Sequence, residues 1–189
     1  TYDEPFTRLQ HVGLILAEDG RKISKRWGNV INPDDVIETF GADAMRVYEM
    51  FMGPFSQACA WSTNGLAGTR RFLEKIWRAQ EKVDDSAKDI ELERELHKTI
   101  KKVGEDIEGF KFNTAVAQMM ILANAFEAAE KIPKNIFSTF VKILAPFAPH
   151  ISEELWEALG ENESVTHVSW PTYDEEKMKE EMVTIAIQI

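Results

Sequence analysis

The feature that most constrains this chain is an apolar residue recurring at steps of three and four, from Leu92 through Leu96, Ile100, Val103 and Ile107 to Phe110. Only a helix gathers such positions onto one face, and a face that apolar must be buried against other elements. The same period returns on both sides of it. After Ser62, a stripe of Leu66, Leu73, Ile76 and Trp77 is expected to face inward, with Arg70, Arg71, Lys75 and Arg78 on the other faces. Asp84-Asp85-Ser86 then breaks the pattern as a polar connection. Asn113 is expected to cap a helix running through Val116, Met119, Met120, Leu122 and Phe126. Pro133 opens another, with Ile136, Phe137, Phe140, Val141 and Leu144 inward. Pro146 and Pro149 punctuate the chain before a last helix near Ser152 to Leu159. Four or five helices joined by short polar turns predict a mainly α fold, an antiparallel helical bundle.

Ahead of the bundle the pattern changes. Phe6 to Lys25 reads as a small β-hairpin region, with an apolar run over Val12-Gly13-Leu14-Ile15-Leu16 and a turn at Asp19-Gly20. Asn32-Pro33-Asp34-Asp35 is a strong helix start: an N-cap, a proline at the first position and carboxylates in the first turn. It predicts a helix to Phe40 closed by Gly41, then a second over Asp43 to Met52 broken at Gly53-Pro54. Between turn and helix lies Lys22-Ile23-Ser24-Lys25-Arg26-Trp27-Gly28-Asn29-Val30. A basic loop anchored this way can close ammonium groups over a polyphosphate, although Lys-x-Ser-Lys alone equally describes a solvated hairpin tip. Beyond the bundle, Val165 to Pro171 reads as extended, Asp174 to Glu181 as a charge-rich linker or short helix, and Val183 to Ile189 as the start of a strand.

Composition narrows the classes. A net charge of −10 argues against a dedicated nucleic-acid module while leaving room for local basic patches. The single cysteine, Cys59, excludes an internal disulfide and suits a reducing cytoplasm. His11, His97, His150 and His167 are scattered without ligand spacing, so no metal site is expected. His150, among prolines at a helix junction, is expected to pack and cap rather than catalyse. No run is long enough to span a bilayer, and no membrane partner is expected.

Taken together and in order, Lys22-Ile23-Ser24-Lys25, Gly28-Asn29-Val30, the Asn32-Pro33-Asp34-Asp35 helix start and Gly41-Ala42-Asp43-Ala44-Met45-Arg46 resemble the second signature of the class I aminoacyl-tRNA synthetases and the helices behind it. Within that class, Tyr48-Glu49-Met50-Phe51-Met52-Gly53-Pro54 and Trp61-Ser62 resemble the leucyl-tRNA synthetases. Phe112-Asn113-Thr114-Ala115 and the stretch from Ala145 to Trp156 resemble their anticodon-binding-type bundle. The resemblance implies an enzyme, a leucine–tRNA ligase, that activates leucine with ATP (with Mg2+) and passes it to tRNA(Leu) in the cytoplasm. It implies catalytic roles for Lys22, Ser24 and Lys25, and ATP contacts from Lys22, Lys25, Arg26 and Gly28. Ile23 stands where the family usually has methionine, Arg26 where it has a second serine, and Trp27 where a small or basic residue is common. Contacts with tRNA are expected from Arg46, or else a helix-surface ion pair there, and from Arg71, Lys75 and Arg78, or else a solvated basic face.

The resemblance also divides the chain. Residues 1–60 correspond to the end of a catalytic domain with its connecting stem-contact helices, 61–160 to the helical bundle, and 161–189 to an extended segment and the start of a further domain. The nucleotide-binding domain, its His-x-Gly-His signature and the leucine pocket have no counterpart here, so this stretch alone is expected to be inactive. Two other readings stay open: the equivalent part of a methionyl, valyl or isoleucyl enzyme, and a non-catalytic helical interaction module.

Overall fold

Helix boundaries follow the capping residues closely. A computed structural model of the chain describes residues 6–179. Among these residues run seven α-helices: α1 (Pro33–Phe40), α2 (Ala42–Phe51), α3 (Thr63–Ala79), α4 (Ile90–Glu108), α5 (Phe112–Ala128), α6 (Lys134–Leu144) and α7 (Pro149–Ala158). Side chains of Asn32, Ser62 and Asp89 accept from backbone N–H groups of the first turns of α1, α3 and α4, as N-caps do. None of these helices is long and apolar enough to cross a membrane.

Helices α3 to α7 enclose one apolar core in which Met119, Leu122, Phe126, Phe137 and Phe140 are fully buried. Phe126 meets Phe137 and Phe140 with ring centroids 5.8 and 5.3 Å apart, in the tilted and edge-to-face geometries aromatic rings prefer. Helix α2 adds Ala44 and Val47 to that same core. A smaller cluster of Tyr48, Trp61 and Leu66 seats Ile31, Val36 and Phe40 beside it, which fixes α1. Close approach of α2 and α3 depends on Gly65, since a Cβ there would lie 2.8 Å from the Tyr48 ring. The buried Thr69 hydroxyl lies 3.0 Å from the Ala44 carbonyl and 2.8 Å from that of Leu66, joining the two helices.

Extended structure is sparse. Strand β1 (Ile15–Leu16) pairs in parallel with β2 (Cys59–Ala60), and β3 (Val83–Asp84) with β4 (Ile132–Pro133). The expected hairpin reduces to a tight turn in which Ala17 N–H donates to Arg21 at 2.8 Å, closed by one bridge between Leu16 and Lys22. Three other expectations are corrected. Asn113 lies inside α5, whose first turn is instead held by Thr114 donating to the buried Asp106 carboxylate at 2.6 Å. Trp77 leaves the stripe and is 45% exposed. Val165–His167 is a 3₁₀ turn, capped by Ser164 and fastened to Glu153 through the Val165 N–H. The strand expected over Val183 to Ile189 lies outside the described residues.

Two side chains of α2 reach across to the α6–α7 junction. Asp43 accepts the Ile151 N–H at 2.7 Å and the His150 N–H at 3.4 Å, and its Oδ1 lies 2.8 Å from His150 Nδ1. The carboxylate therefore caps α7 from another helix, in place of Ala148, which offers no side-chain acceptor. Arg46 donates to the Pro146 and Phe147 carbonyls at 3.0 and 3.3 Å. His150 sits at this junction with its side chain largely exposed and its Nδ1 on Asp43, so it is a partner of the cap rather than a packed residue. Because Asp43 is buried and its partners lose their acceptor, Asp43→Ala is expected to cost about 2–3 kcal/mol in urea denaturation. His150→Ala, at an exposed side chain, should cost less than about 1 kcal/mol in the same measurement.

Candidate functional site

The basic loop begins on the tight turn. Gly20 supplies the left-handed residue (φ 77°), and Asp19 holds Arg21 through both its backbone N–H and its guanidinium. That pairing keeps the Asp19 carboxyl below its ordinary range and raises Arg21, the side-chain bond being the larger cause in each. Glu18 accepts from the N–H and hydroxyl of Thr63 at 3.0 and 2.9 Å, so it also caps α3 and ties the turn to the bundle. Those bonds lower its carboxyl, the backbone bond most.

Lys25–Trp27 then forms a single 3₁₀ turn. Ser24 is its cap, its Oγ accepting from Arg26 N–H at 3.3 Å, and Gly28 closes it with φ 65°. Asn29 closes the loop from below: its Oδ1 accepts the Ser24 N–H at 2.8 Å and its Nδ2 donates to the Lys22 carbonyl at 3.3 Å. Three residues on, Asn32 starts α1. Lys22, Ser24, Lys25, Arg26 and Gly28 are thus carried on one pinned turn. Lys22 and Lys25 point no ammonium at any described carboxylate, and Arg26 and Arg21 lie 5.5 and 5.6 Å from the ring centroid of the exposed Trp27.

Arg46, Arg71, Lys75 and Arg78 do not form one site. Arg46 sits on α2 with its guanidinium on two carbonyls of the α6–α7 junction, although the residue stays exposed. The other three line α3. Lys75 is bound to Glu127 at 2.7 Å and Asn124 at 2.6 Å. Glu127 is lowered chiefly by that Lys75 bond, with Arg78 adding a smaller attraction. The Arg71 and Arg78 side chains are exposed and make no hydrogen bond within the described residues. Arg78 also borders a cleft of about 630 Å³ between α3, the α1–α2 turn and the start of α7, where Trp77 and His150 stand.

Sequence reasoning passed over Asn29, Glu18 and Asp43. An asparagine directly after a glycine in a polar loop is a recognisable signal, since such side chains bond nearby backbone. Glu18 and Asp43 act on partners 45 and 107 residues away, and no local pattern announces such a bond.

A helical bundle preceded by this loop has counterparts among known proteins. The family described as the anticodon-binding domain of tRNA ligase matches residues 89–189, more than half of the chain. The family described as tRNA synthetases class I (I, L, M and V) matches residues 1–62. The chain belongs to the class I tRNA synthetases. A crystal structure of the ternary complex of Agrobacterium radiobacter K84 agnB2 LeuRS with tRNA and LeuAMS is similar over 94% of this chain, at 36% identity and a TM-score of 0.82. The chain spans 26% of that protein's length. The two family matches meet the two structural parts, the loop with its anchoring helix falling in the synthetase match and α4 to α7 in the anticodon-binding match.

Local geometry makes Gly28 the sensitive point of the turn. Its Cβ would meet nothing within 4 Å, so a substitution there is strained only through its left-handed backbone. Gly28→Ala is expected to destabilise the 3₁₀ turn by about 1–2 kcal/mol. Amide exchange at Trp27 and Gly28 should accelerate accordingly, while the urea midpoint of the bundle stays unchanged.

Proposed function

We propose that this chain is the loop-and-bundle part of a leucine–tRNA ligase. The observation that carries the reading is the likeness to a LeuRS, running through loop and bundle alike at a TM-score of 0.82 and 36% identity. The proposed division of labour is that residues 1–60 complete an ATP site, 61–160 support tRNA(Leu), and 161–189 lead into a further domain. Lys22, Ser24, Lys25, Arg26 and Gly28 act at the ATP phosphates. The reaction of such a ligase joins the leucine carboxylate to the α-phosphorus of ATP and breaks the bond to pyrophosphate, then moves the leucyl group to a tRNA hydroxyl with release of AMP. Protein contributes little covalent chemistry to the first step. It contributes placement, and positive charge where pyrophosphate gathers negative charge.

A loop that carries Lys22, Lys25 and Arg26 on a short turn suits that task, since their charges are not already committed to carboxylates among the described residues. Magnesium accompanies ATP in this class. The described residues hold no cluster of three or more His, Cys, Asp or Glu able to bind a metal, so no step here is assigned to it. On this reading the chain by itself does not aminoacylate, because the leucine and adenine pockets belong to other parts of the ligase. The compartment of the reaction is the cytoplasm, with which the single Cys59 agrees.

The test of the loop uses the ligase that carries this chain. Lys25→Ala should lower leucine-dependent ATP–pyrophosphate exchange on the order of 10²-fold, the effect of removing one preorganised charge from a transition state. An unchanged rate would remove the loop from the ATP site.

Support of tRNA is assigned to the α3 face. Arg71 and Arg78 offer exposed guanidinium groups there, and Lys75 stands between them on Glu127. Arg46 is a lesser contributor, its guanidinium already holding the α6–α7 junction. Each phosphate neutralised contributes roughly 0.7–0.9 to the slope of log K against log salt. The double variant Arg71→Ala/Arg78→Ala should therefore weaken tRNA binding and flatten that slope by about one to two units. Unchanged affinity and slope in filter-binding titrations would return the face to solvent.

A further inference from the structure

The loop is held from outside its turn as well as from within it. Within the turn, Trp27 N–H donates to the Ser24 carbonyl at 3.0 Å and Gly28 N–H to that of Lys25 at 3.3 Å, and no residue of the turn is buried. The shortest bond on the loop backbone is the one Asn29 accepts from the Ser24 N–H, at 2.8 Å. The same amide donates to the Lys22 carbonyl. Those two bonds need an acceptor and a donor on separate atoms of one planar group, which the asparagine amide carries and which an ionised aspartate or an alanine does not. They also straddle Ile23, so Lys22 on one side and Ser24, ahead of Lys25, on the other are joined through one side chain.

We propose that Asn29 is the positioning residue of the basic loop, its side-chain amide fixing the backbone from which Lys22 and Lys25 are presented. This rests on the loop's assignment to the ATP phosphates. Asn29 touches no substrate in this role. It acts through the two lysines, by narrowing the backbone conformations that must be selected before their charges align. It is itself half-buried, directly after the exposed turn and three residues before the α1 cap, so the loop base and the helix anchor are set within a single short stretch. Arg26 and Trp27 are exposed and meet each other rather than the loop base, which leaves this work to Asn29.

The experiment uses the ligase that carries this chain, with Asn29→Ala, Asn29→Asp and Lys25→Ala made in parallel. For Asn29→Ala, leucine-dependent ATP–pyrophosphate exchange should fall on the order of tenfold in kcat. Active-site titration should still count the full number of adenylate-forming sites, which a merely misfolded enzyme would not give. Hydrogen exchange of the Ser24 amide should accelerate. Asn29→Asp keeps the acceptor and loses the donor, so Ser24 should remain protected and the loss of rate should be smaller. A rate that falls with Lys25→Ala but stands with Asn29→Ala overturns the proposal and leaves the ATP reading intact. A rate that stands with both overturns the ATP reading and the positioning role together. Ser24 protection unchanged in Asn29→Ala overturns the proposal whatever the rate.

Discussion

The contact between the Asp43 carboxylate and the first N–H groups of α7 ties the N-terminal part of the chain to the far end of the bundle. A helix start leaves donors with no partner inside the helix, and they carry the positive end of its dipole. The chain just before α7 is Ala148-Pro149, which offers no side-chain acceptor. A carboxylate from α2 fills the need and in doing so becomes buried itself. Each partner removes the other's desolvation cost, so neither end of the contact is stable alone. Arg46, one helical turn along α2, holds the carbonyls just ahead of the same junction. Between them, the two charged residues of Gly41-Ala42-Asp43-Ala44-Met45-Arg46 fasten α2 to a point more than 100 residues later in the chain.

With α2 fixed, the basic loop has two attachments to the bundle. One runs through Asn32 and α1 into the cluster of Tyr48, Trp61 and Leu66. The other runs from Glu18, just ahead of the loop, to the first residue of α3. Both ends of the loop therefore rest on helices that share the bundle's packing, while the seven residues from Lys22 to Gly28 stay at the surface. That arrangement allows local movement of the loop without displacement of its base, which is the mechanical condition for a clamp on a ligand.

The sequence revealed those parts of the fold whose causes are local. Helices α1, α3 and α4 start at side chains that bond within three residues, and the apolar period shows which face turns inward. Asn113 misled because a residue of capping type sat one position inside a helix whose true anchor is Asp106, eight residues ahead of Thr114. Trp77 matched the spacing of its stripe, but the buried stripe runs through Phe72, Leu73, Ile76 and Ala79, and Trp77 stands beside it, bordering an open cleft. The parallel strand pairs were invisible for a different reason. Each joins residues more than 40 positions apart, in strands of two residues, too short for any alternation to register. In the candidate site, the loop cations were named through the family resemblance, whereas Asn29 and Glu18, whose bonds hold the loop, were not singled out.

Charge distribution explains how a chain with a net charge of −10 can present itself to polyanions. The carboxylates nearest the loop are satisfied close to home. Asp19 is held by Arg21, Glu18 by Thr63, and Asp35 by Asn32, while Asp34 and Asp35 also face the positive end of α1. None of them is directed at Lys22 or Lys25. Along α3, Glu74 is taken by Arg70 and Glu127 by Lys75, which leaves Arg71 and Arg78 turned to solvent. The remaining acidic surface then does as much as the cations. A surface acidic on balance repels polyanions in general, so repulsion as well as attraction would set the orientation in which a phosphate chain could approach.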